Sequence, residues 1–345
     1  MTIKRSTRRP PVVIVTGASS GLGKATALLF ARHGWSVGLI ARGIDGLRAT
    51  HDEIRRHGGR AAIGVADVGD RDALERAAAS VEAELGEMDV WVNVAGSGTY
   101  AFFDEGSAED FDRVLLTNLT GSVNGTRIAL RRMVPRDRGT VVQVGSAIAY
   151  RGIPLQSAYA TTKWGLRGLH ESVRAELAHK GSAVVLSLVN PPGMDTPFFS
   201  HAQSELRGAV PHVPSGVYAP DDTAEAILLA ATSRRREWNV GAASVALLLA
   251  DHFLPKTPMD WIVGKLGVTG QRTTSPKAVT SRDPTLHAPS EHVSGSRGVF
   301  GDEAIATSLV WQATKRPALT AAVFLAAAVG ASALVARRQS PPKIR

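Results

Sequence analysis

The sequence has 345 residues, enough for one large domain or two small ones. It contains no cysteine, which excludes disulfides, thiolate metal sites and a cysteine nucleophile. The net charge of +9 raises nucleic acid or an anionic membrane as partners. However, the basic residues are scattered, and the densest runs, 4–10 and 233–237, have no interleaved aromatic residues. We therefore expect solvated basic faces and no nucleic-acid partner.

Residues 1–10 form a basic N-terminal arm, and the apolar run that follows it is too short for a secretory signal. From residue 11 to about 241, short apolar runs alternate with amphipathic segments. The runs are rich in Val and Ile without polar alternation, which is typical of strands that are buried on both faces. This pattern predicts an α/β fold with a doubly wound, mostly parallel, Rossmann-like sheet. The seven runs are PVVIVTG, SVGLIA, AAIGVAD, DVWVNVAG, GTVVQVGS, AVVLSLVN and EWNVG.

The first strand leads into TGASSGLG, which places Gly17, Gly21 and Gly23 between that strand and a helix. Glycines at this turn let the backbone approach a pyrophosphate, and the helix N-terminus offers free N–H groups. We therefore predict a nucleotide site at this turn, formed also by Ser19, Ser20 and Leu22.

The ends of the next three strands extend this predicted site. The second strand ends without the acidic residue typical of NAD sites, and Arg42 follows it, which favours a 2′-phosphate and hence NADP(H) over NAD(H). After the third strand, Asp67 is placed to accept from an adenine amino group, and Val68 to pack on the ring. After the fourth, Asn93, Ala95 and Gly96 would let a ribose lie against backbone, although each element alone is also compatible with a plain turn.

In SAYATTKWG, Tyr159 and Lys163 lie four residues apart in a helix-like run, so both project from one helix face. Such a pair is a surface feature in most proteins and a proton-transfer device in a few. The pKa of a free phenol lies near 10, and a neighbouring ammonium is expected to lower it toward neutrality. Seen alone, the pair leaves both interpretations open.

Five elements together resemble the short-chain dehydrogenase/reductases, in the branch with a TGxxxGxG turn. They are TGASSGLG, NVAG, Asn118 in LLTNLTG, Ser146 in QVGSAIA, and YATTK, and the resemblance covers about residues 10–245. It implies that Tyr159 is the general acid and base. Lys163 would tune it and bind the nicotinamide ribose.

The resemblance also implies roles for three further residues. Ser146 would donate to the substrate oxygen, and Asn118 would hold a water that links Lys163 to solvent. Thr196 would bind the nicotinamide carboxamide. It further implies a homo-oligomer formed through the fourth and fifth helices. Two departures stand out, because Val94 replaces an Asn of the family and Pro192 takes the place of a glycine.

We expect residues 11–265 to form the catalytic domain, with a lid over the substrate at about 194–217. Apolar lid residues, with others near residue 100, suggest an apolar substrate, although a lid also needs such residues to pack. His201 and His212 show no metal-ligand spacing, and we expect no metal. The apolar residues that suggest the pocket wall are Phe198, Phe199, Leu206, Val210, Tyr100, Phe102 and Phe103.

The C-terminal part differs in composition. Residues 266–314 are rich in Ser, Thr, Pro and charge, which predicts an irregular linker or tail. Residues 315–338 predict an apolar helix, with 318–336 free of charge and long enough to reach across a bilayer. Nine alanines among those nineteen residues, and basic flanks on both sides, equally favour a buried or interfacial helix. We expect a cytoplasmic catalytic domain with possible membrane attachment through this helix.

The sequence therefore predicts an NADP(H)-dependent oxidoreductase that acts on a carbonyl or secondary alcohol of an apolar substrate. The alternative is a non-catalytic nucleotide-binding scaffold or sensor at a membrane, since fold alone does not determine function.

Overall fold

The computed structural model describes residues 9–213 and 216–316. Its centre is a parallel seven-stranded sheet with strand order β7-β6-β5-β4-β1-β2-β3. Each predicted apolar run forms one of these strands, so the predicted Rossmann-like sheet is confirmed. The strands are β1 (Val12–Thr16), β2 (Ser36–Ala41), β3 (Arg60–Val65), β4 (Val90–Asn93), β5 (Thr140–Val144), β6 (Val185–Asn190) and β7 (Glu237–Asn239).

The helices cover both faces of the sheet, and several begin at a side-chain cap. Asp70, for example, accepts from the amides of Asp72 and Ala73 at the start of α3. The helices are α1 (Gly21–Arg32), α2 (Ile44–Arg56), α3 (Arg71–Leu85), α4 (Ala108–Val114), α5 (Gly121–Met133), α6 (Ser157–His179), α7 (Phe198–His201), α8 (Asp221–Thr232), α9 (Ala242–Phe253), α10 (Lys256–Gly270), α11 (Pro276–Thr280) and α12 (Leu309–Lys315).

Burial on both faces explains why the strands read as continuous apolar runs. Along β1, Val13 and Val15 pack into the core beneath α1, α2 and α8. Val12 and Ile14 face the opposite core, beneath α3, α5 and α6. Successive strand residues point to opposite faces, so no position in β1 meets water.

The strand order reverses between β1 and β4, which lie side by side in the sheet. The chain leaves these two strands toward opposite sides, and this opens a crevice at their carboxyl ends. Ligands of open α/β sheets bind at such a switch point. The glycine turn after β1 and the NVAG segment after β4 therefore meet in this crevice.

The C-terminal region, for which the composition predicts an irregular linker or tail at residues 266–314, is packed against the sheet domain. The predicted domain boundary at 265 falls inside α10. Beyond it, Leu286, Phe300 and Trp311 are buried. Apolar side chains at wide spacing thus dock this region onto the domain.

Both predicted terminal segments lie largely outside the described residues. The basic arm is described only from Arg9, and the predicted apolar helix at 315–338 only to Arg316. Within residues 9–213 and 216–316, none of the helices combines the length and apolar character that crossing a membrane requires. The predicted span at 318–336 is not among them.

Candidate active site

The glycine turn is built for close backbone approach. Gly17 has φ of +70°, and a Cβ atom there would lie 2.9 Å from Cα of Ala95. A Cβ on Gly23 would lie only 2.0 Å from the carbonyl oxygen of Gly17. Helix α1 then starts at Gly21 without a side-chain cap from Ser20. Its first N–H groups are free of an intrahelical partner, which suits a pyrophosphate.

One cavity of about 710 Å³ joins this turn to the predicted catalytic residues. Most of the predicted cofactor residues line it, as do Ser146 and Tyr159. The described residues therefore fit a nicotinamide dinucleotide. The lining residues among those predicted for the cofactor are Gly17, Ser19, Ser20, Gly21, Leu22, Arg42, Asp67, Val68, Ala95, Gly96, Tyr159 and Thr196.

The side chain of Asn93 lies away from the cavity, in a buried hydrogen-bond network. Its Oδ1 accepts from Nε1 of Trp91 at 2.8 Å, and its Nδ2 donates to Thr126 and Gln143 at 3.1 and 3.2 Å. Asn93 thus ties β4 to β5 and α5. Gly23 and Lys163 also lie outside the lining, behind the residues that face the cavity.

Arg42 follows β2 and lines the cavity, but it already holds two partners. Its Nη1 donates to the carbonyl of Leu286 at 3.1 Å, and its Nη2 to the carbonyl of Thr285 at 2.5 Å. Burial, helped by the nearby guanidinium of Arg113, lowers the pKa of Arg42. The group has five N–H donors in all, so it retains capacity for an anion.

Arg113 was not suggested by any sequence pattern, because it lies far along the chain from its partners. Its Nη2 donates to Asp67 at 2.5 Å, and its Nε to the same Leu286 carbonyl that Arg42 uses. Burial acts to raise the pKa of Asp67, but hydrogen bonds from Arg113 and Gly69 outweigh it and hold that pKa below its usual value. Asp67 is therefore a carboxylate at neutral pH.

The catalytic residues that the resemblance implies come together on α6 and at the end of β5. Lys163 Nζ lies 5.3 Å from the centre of the Tyr159 ring and donates to the carbonyl of Val144 at 2.8 Å. Ser146 follows β5 and caps a short turn by accepting from the amide of Ile148. The Ser146 hydroxyl also lies close enough to Tyr159 to act on the pKa of its phenol.

The pKa of the Tyr159 phenol, however, is shifted in the direction opposite to the one predicted from its spacing to Lys163. Burial raises the pKa of Tyr159 to about 12, and the nearby Ser146 hydroxyl opposes this only in part. Burial also lowers the pKa of Lys163 to about 8. The ammonium is directed at the Val144 carbonyl, so its field is partly neutralised there. Tyr159 is consequently a protonated phenol at neutral pH, as a proton donor requires.

Asn118 lies within a π-helix, Leu115–Thr120, that interrupts the path from α4 to α5. Its Oδ1 accepts from the amide of Ser97 and its Nδ2 donates to the carbonyl of Ser97, both at 2.8 Å. Nδ2 also lies 3.4 Å from Oγ1 of Thr162, next to Lys163. Such π-turns are frequent at functional sites. Asn118 thus holds the segment after β4 against α6.

The loop after β6 brings Thr196 over the start of α1. Thr196 is buried, and its Cβ would lie 3.5 Å from a Cβ placed on Gly21. Its neighbour Asp195, which the sequence did not single out, is fully buried and accepts from the amide of Phe300. Pro192, one of the two departures from the family pattern, lines the same cavity. Val94 packs against the core.

The far end of the cavity is apolar. Phe198, in the predicted lid, places its ring 5.5 Å from that of Tyr159. Tyr100 is fully buried there, and its hydroxyl has no hydrogen-bond partner among residues 9–213 and 216–316. Phe102 and Phe103 are exposed and line a separate, smaller pocket. The other apolar residues that line this end are Ile153, Phe199, Val213, Leu247, Met259, Ile262, Val263 and Leu266.

The remaining lid residues serve other contacts. Leu206 and Val210 pack against a satellite cluster around Phe199 and Phe300. The ring of His212 contacts Phe300, and Nε2 of His201 lies 3.2 Å from Oγ of Ser294. Within the part of the chain that the structure describes, no group of His, Asp and Glu side chains is arranged to hold a metal.

A protein-family model described as short chain dehydrogenase matches residues 11–207. The chain belongs to that family. The uncharacterized oxidoreductase YxnA of Bacillus subtilis is 33% identical over 322 residues, which span 93% of this chain and 90% of that protein. The protein is accordingly an oxidoreductase of the short-chain dehydrogenase/reductase family.

Two solved structures agree with this membership. A metagenomic short-chain oxidoreductase in complex with NADP is 31% identical, with a TM-score of 0.57, and the match covers 68% of this chain and 98% of that one. A short chain dehydrogenase/reductase from Burkholderia phymatum in complex with NAD is 25% identical, with a TM-score of 0.65 and coverage of 71% and 93%. Both likenesses leave out close to a third of this chain.

Proposed function

We propose that this oxidoreductase uses NADP(H) to interconvert a carbonyl and a secondary alcohol on an apolar substrate, with Tyr159 as the general acid and base. One observation carries the proposal. A half-buried, protonated phenol beside Ser146 lines the same cavity as an uncapped helix N-terminus next to a glycine turn. A sensor that only bound a nucleotide would need no such proton donor, so the non-catalytic alternative is not favoured.

The chemistry divides between the cofactor and the chain. A bound nicotinamide would supply or accept the hydride. Tyr159 donates a proton to the substrate oxygen in reduction and removes it in oxidation. Ser146 holds that oxygen as charge develops on it. Lys163, fixed by the Val144 carbonyl, keeps a positive charge behind the phenol.

The preference for NADP(H) is supported by charge at the adenosine end. No acidic residue follows β2, and Arg42 and Arg113 both donate to the carbonyl of Leu286. Two guanidinium groups that share one carbonyl form a positively charged corner. A 2′-phosphate suits such a corner, because guanidinium binds phosphate through charge-assisted hydrogen bonds. Asp67, paired with Arg113, offsets only one of the two charges.

The apolar substrate is supported by the lining of the cavity beyond Tyr159. Aromatic and aliphatic side chains from the lid, α9 and α10 surround that end, and the hydroxyl of Tyr100 adds a polar group among them. Pockets of this kind bury most of a ligand and fix its orientation with few polar groups. A long aliphatic or polycyclic ketone fits this lining better than a sugar does.

The experiment is a screen of ketones and secondary alcohols with NADPH, NADH and their oxidised forms. We expect NADPH to be consumed with apolar ketones faster than with sugar ketones of equal reactivity, and faster than NADH. Turnover of NADH alone would contradict the cofactor preference. A clear preference for sugars would contradict the substrate class.

We also propose a homo-oligomer formed through the predicted fourth and fifth helices, which in this structure are the continuous run of α4, the π-helix and α5, followed by α6. Trp164 on α6 is half exposed, and Leu116, beside α5, is also exposed. Aromatic residues such as Trp are enriched at protein interfaces relative to the rest of the surface. Light scattering after gel filtration measures the assembly, and replacement of Trp164 by Glu is expected to reduce it to monomers.

A further inference from the structure

The segment 283–300, here called the strap, crosses the adenosine end of the cavity. At its start, Thr285 and Leu286 accept hydrogen bonds from Arg42, and Leu286 also accepts from Arg113. The side chain of Leu286 is buried. His287 adds an outer contact of 2.6 Å to Asp110 in α4. The strap is thus fixed to the ends of β2 and α4.

The other end of the strap is fixed to the start of α1 and to the loop after β6. The carbonyl of Gly295 accepts from the amide of Gly21 at 2.9 Å. Phe300 donates its amide to the buried carboxylate of Asp195. Arg297 contacts Asp221 at 2.6 Å on the outside. Gly21 is the first residue of α1, so the Gly295 carbonyl lies at the helix end that phosphates are expected to approach.

Between these two attachments the strap forms the outer wall of the cavity. Its lining residues are Thr285, Pro289, Ser290, His292 and Ser294. They face the glycine turn and the end of β2. The space between the turn and the strap is therefore bounded on the side that would otherwise be open to solvent. The family match ends at residue 207, well before this wall begins.

We propose that the strap is a third element of the dinucleotide site, which encloses the adenosine diphosphate half and must separate from the body for the dinucleotide to enter or leave. The inference rests on the proposed NADP(H) dependence. The Gly295 carbonyl holds an amide that a phosphate oxygen would compete for. The strap carbonyls also orient Arg42 and Arg113. Nucleotide exchange is therefore coupled to opening of the strap.

A cross-link tests this coupling directly. A Cβ placed on Gly43 would lie 3.2 Å from Cβ of Pro289, so the two backbones need to part by only a few tenths of an ångström to reach the Cβ–Cβ separation of about 3.5–4.5 Å found in disulfides. Because the chain has no cysteine, the pair Gly43→Cys and Pro289→Cys would carry the only two thiols. The variant is loaded with NADPH while reduced, oxidised with glutathione disulfide, and chased with excess NADP⁺. Fluorescence follows the release of NADPH.

We expect the bridged protein to release NADPH at least about tenfold more slowly than the same protein in reduced form, since a closed lid limits exchange. Dithiothreitol should restore fast release. Equal release rates in both forms would overturn the proposal. So would failure of the two thiols to bridge, because that would contradict the placement of the strap.

A second variant opens the strap instead of locking it. His287→Ala with Arg297→Ala removes both outer contacts, and the matched control Lys277→Ala removes an exposed contact to Asp302 that does not join the strap to the body. We expect release to speed up by roughly threefold to tenfold in the double variant, because exposed ion pairs contribute little each. Hydrogen exchange at residues 285–298 should rise with it and fall when NADP⁺ binds.

The outcomes separate the two levels of inference. If wild-type protein binds no NADPH, the proposed cofactor is wrong. If it binds NADPH, but neither the bridge nor the double variant changes release and exchange in the strap is indifferent to NADP⁺, the strap proposal alone is wrong.

Discussion

The body of the molecule, residues 11–241, and the C-terminal region, residues 242–316, are ordered in different ways. Strands of the body pair with one another, and helices from the same stretch cover them. The strap, residues 283–300, contains no strand or helix that could pair with or cover another part of the C-terminal region. It takes hydrogen bonds from Arg42, Arg113 and Gly21, all of which belong to the body.

The difference shows where the family's chemistry and this chain's own features lie. The body carries the glycine turn, Tyr159 and the other residues of the family pattern. The C-terminal region supplies the outer wall of the adenosine end and, through α9 and α10, much of the apolar lining. We expect the body to perform the reaction. We expect the C-terminal region to determine which substrates bind and how fast the dinucleotide is released.

The largest expected effect comes from the body. Tyr159→Phe removes only the hydroxyl, and we expect the rate of NADPH-dependent reduction to fall by about 10³-fold or more, because the proton donor is lost. NADPH affinity, measured by fluorescence titration, should change by less than about twofold. Phe keeps the packing against Phe198. If Tyr159→Phe kept a tenth or more of the wild-type rate, Tyr159 would not be the general acid.

The second prediction compares the two regions in stability. Phe30→Ala in α1 creates a cavity in the main core and should lower the free energy of unfolding by about 3–5 kcal/mol. Trp311→Ala also deletes a buried ring of the same core, but this ring comes from the short helix α12, packs against Trp238 and donates to Glu225. We expect it to loosen the C-terminal region locally and to lower the stability of the body by less than about half as much.

Chemical denaturation followed by fluorescence gives the global stability, and limited proteolysis reports local opening. Trypsin should cut the Trp311→Ala protein first within residues 272–316, while the body stays intact. Equal loss of stability in both variants, with one cooperative transition and no early cut, would mean that the two regions fold as one unit.

The sequence predicted the body well and the C-terminal region poorly, for a physical reason. A strand buried on both faces needs a run of apolar residues, so most of the seven strands are visible as runs rich in Val and Ile. The short β7 contains neither residue, and of its three residues only Trp238 is buried. The strap is held mainly through its backbone carbonyls and single side chains such as Leu286. Every residue has a backbone carbonyl, so the sequence does not show which carbonyls accept hydrogen bonds. A segment that packs against the domain in this way can therefore have the composition of an irregular tail.

The site shows the same limit. Tyr159, Lys163, Ser146 and the glycine turn were placed by spacing along single elements. The pairing of Arg113 with Asp67 joins residues 46 apart and left no local pattern. The pKa of Tyr159 also depends on its burial by lid residues such as Phe198. The spacing between Tyr159 and Lys163 contains no information about that burial.

The third prediction concerns the corner where the two regions meet. Arg42→Ala and Arg113→Ala should each raise the KM for NADPH by roughly tenfold, because each removes a charge-assisted contact to a 2′-phosphate worth about 1.5–3 kcal/mol at most. The KM for NADH should change by less than about threefold. Arg48→Ala, an exposed arginine on α2, is the control. An equal rise in the KM for NADPH and for NADH would show that the arginines hold the strap in place and do not bind a 2′-phosphate.

The smallest predicted effect concerns the ionisation of Lys163. Burial lowers its pKa from 10.5 to about 8 in the folded protein. Between these values the unfolded chain binds more protons, so this residue makes folding more favourable as the pH rises. Lys163→Met cannot titrate. The wild-type stability minus that of the variant should therefore rise by about 1 kcal/mol from pH 8 to pH 9.

Urea denaturation of both proteins across pH 7 to 10 measures this difference, and the remaining titrating groups cancel between them. The contribution is fully present above the pKa of an exposed lysine and is lost as the pH falls through about 8. A difference that stays flat across the range would mean that Lys163 is exposed to water in solution. The cavity behind Tyr159 would then be open to water, and the raised pKa of the phenol, which also rests on burial, would lose its basis.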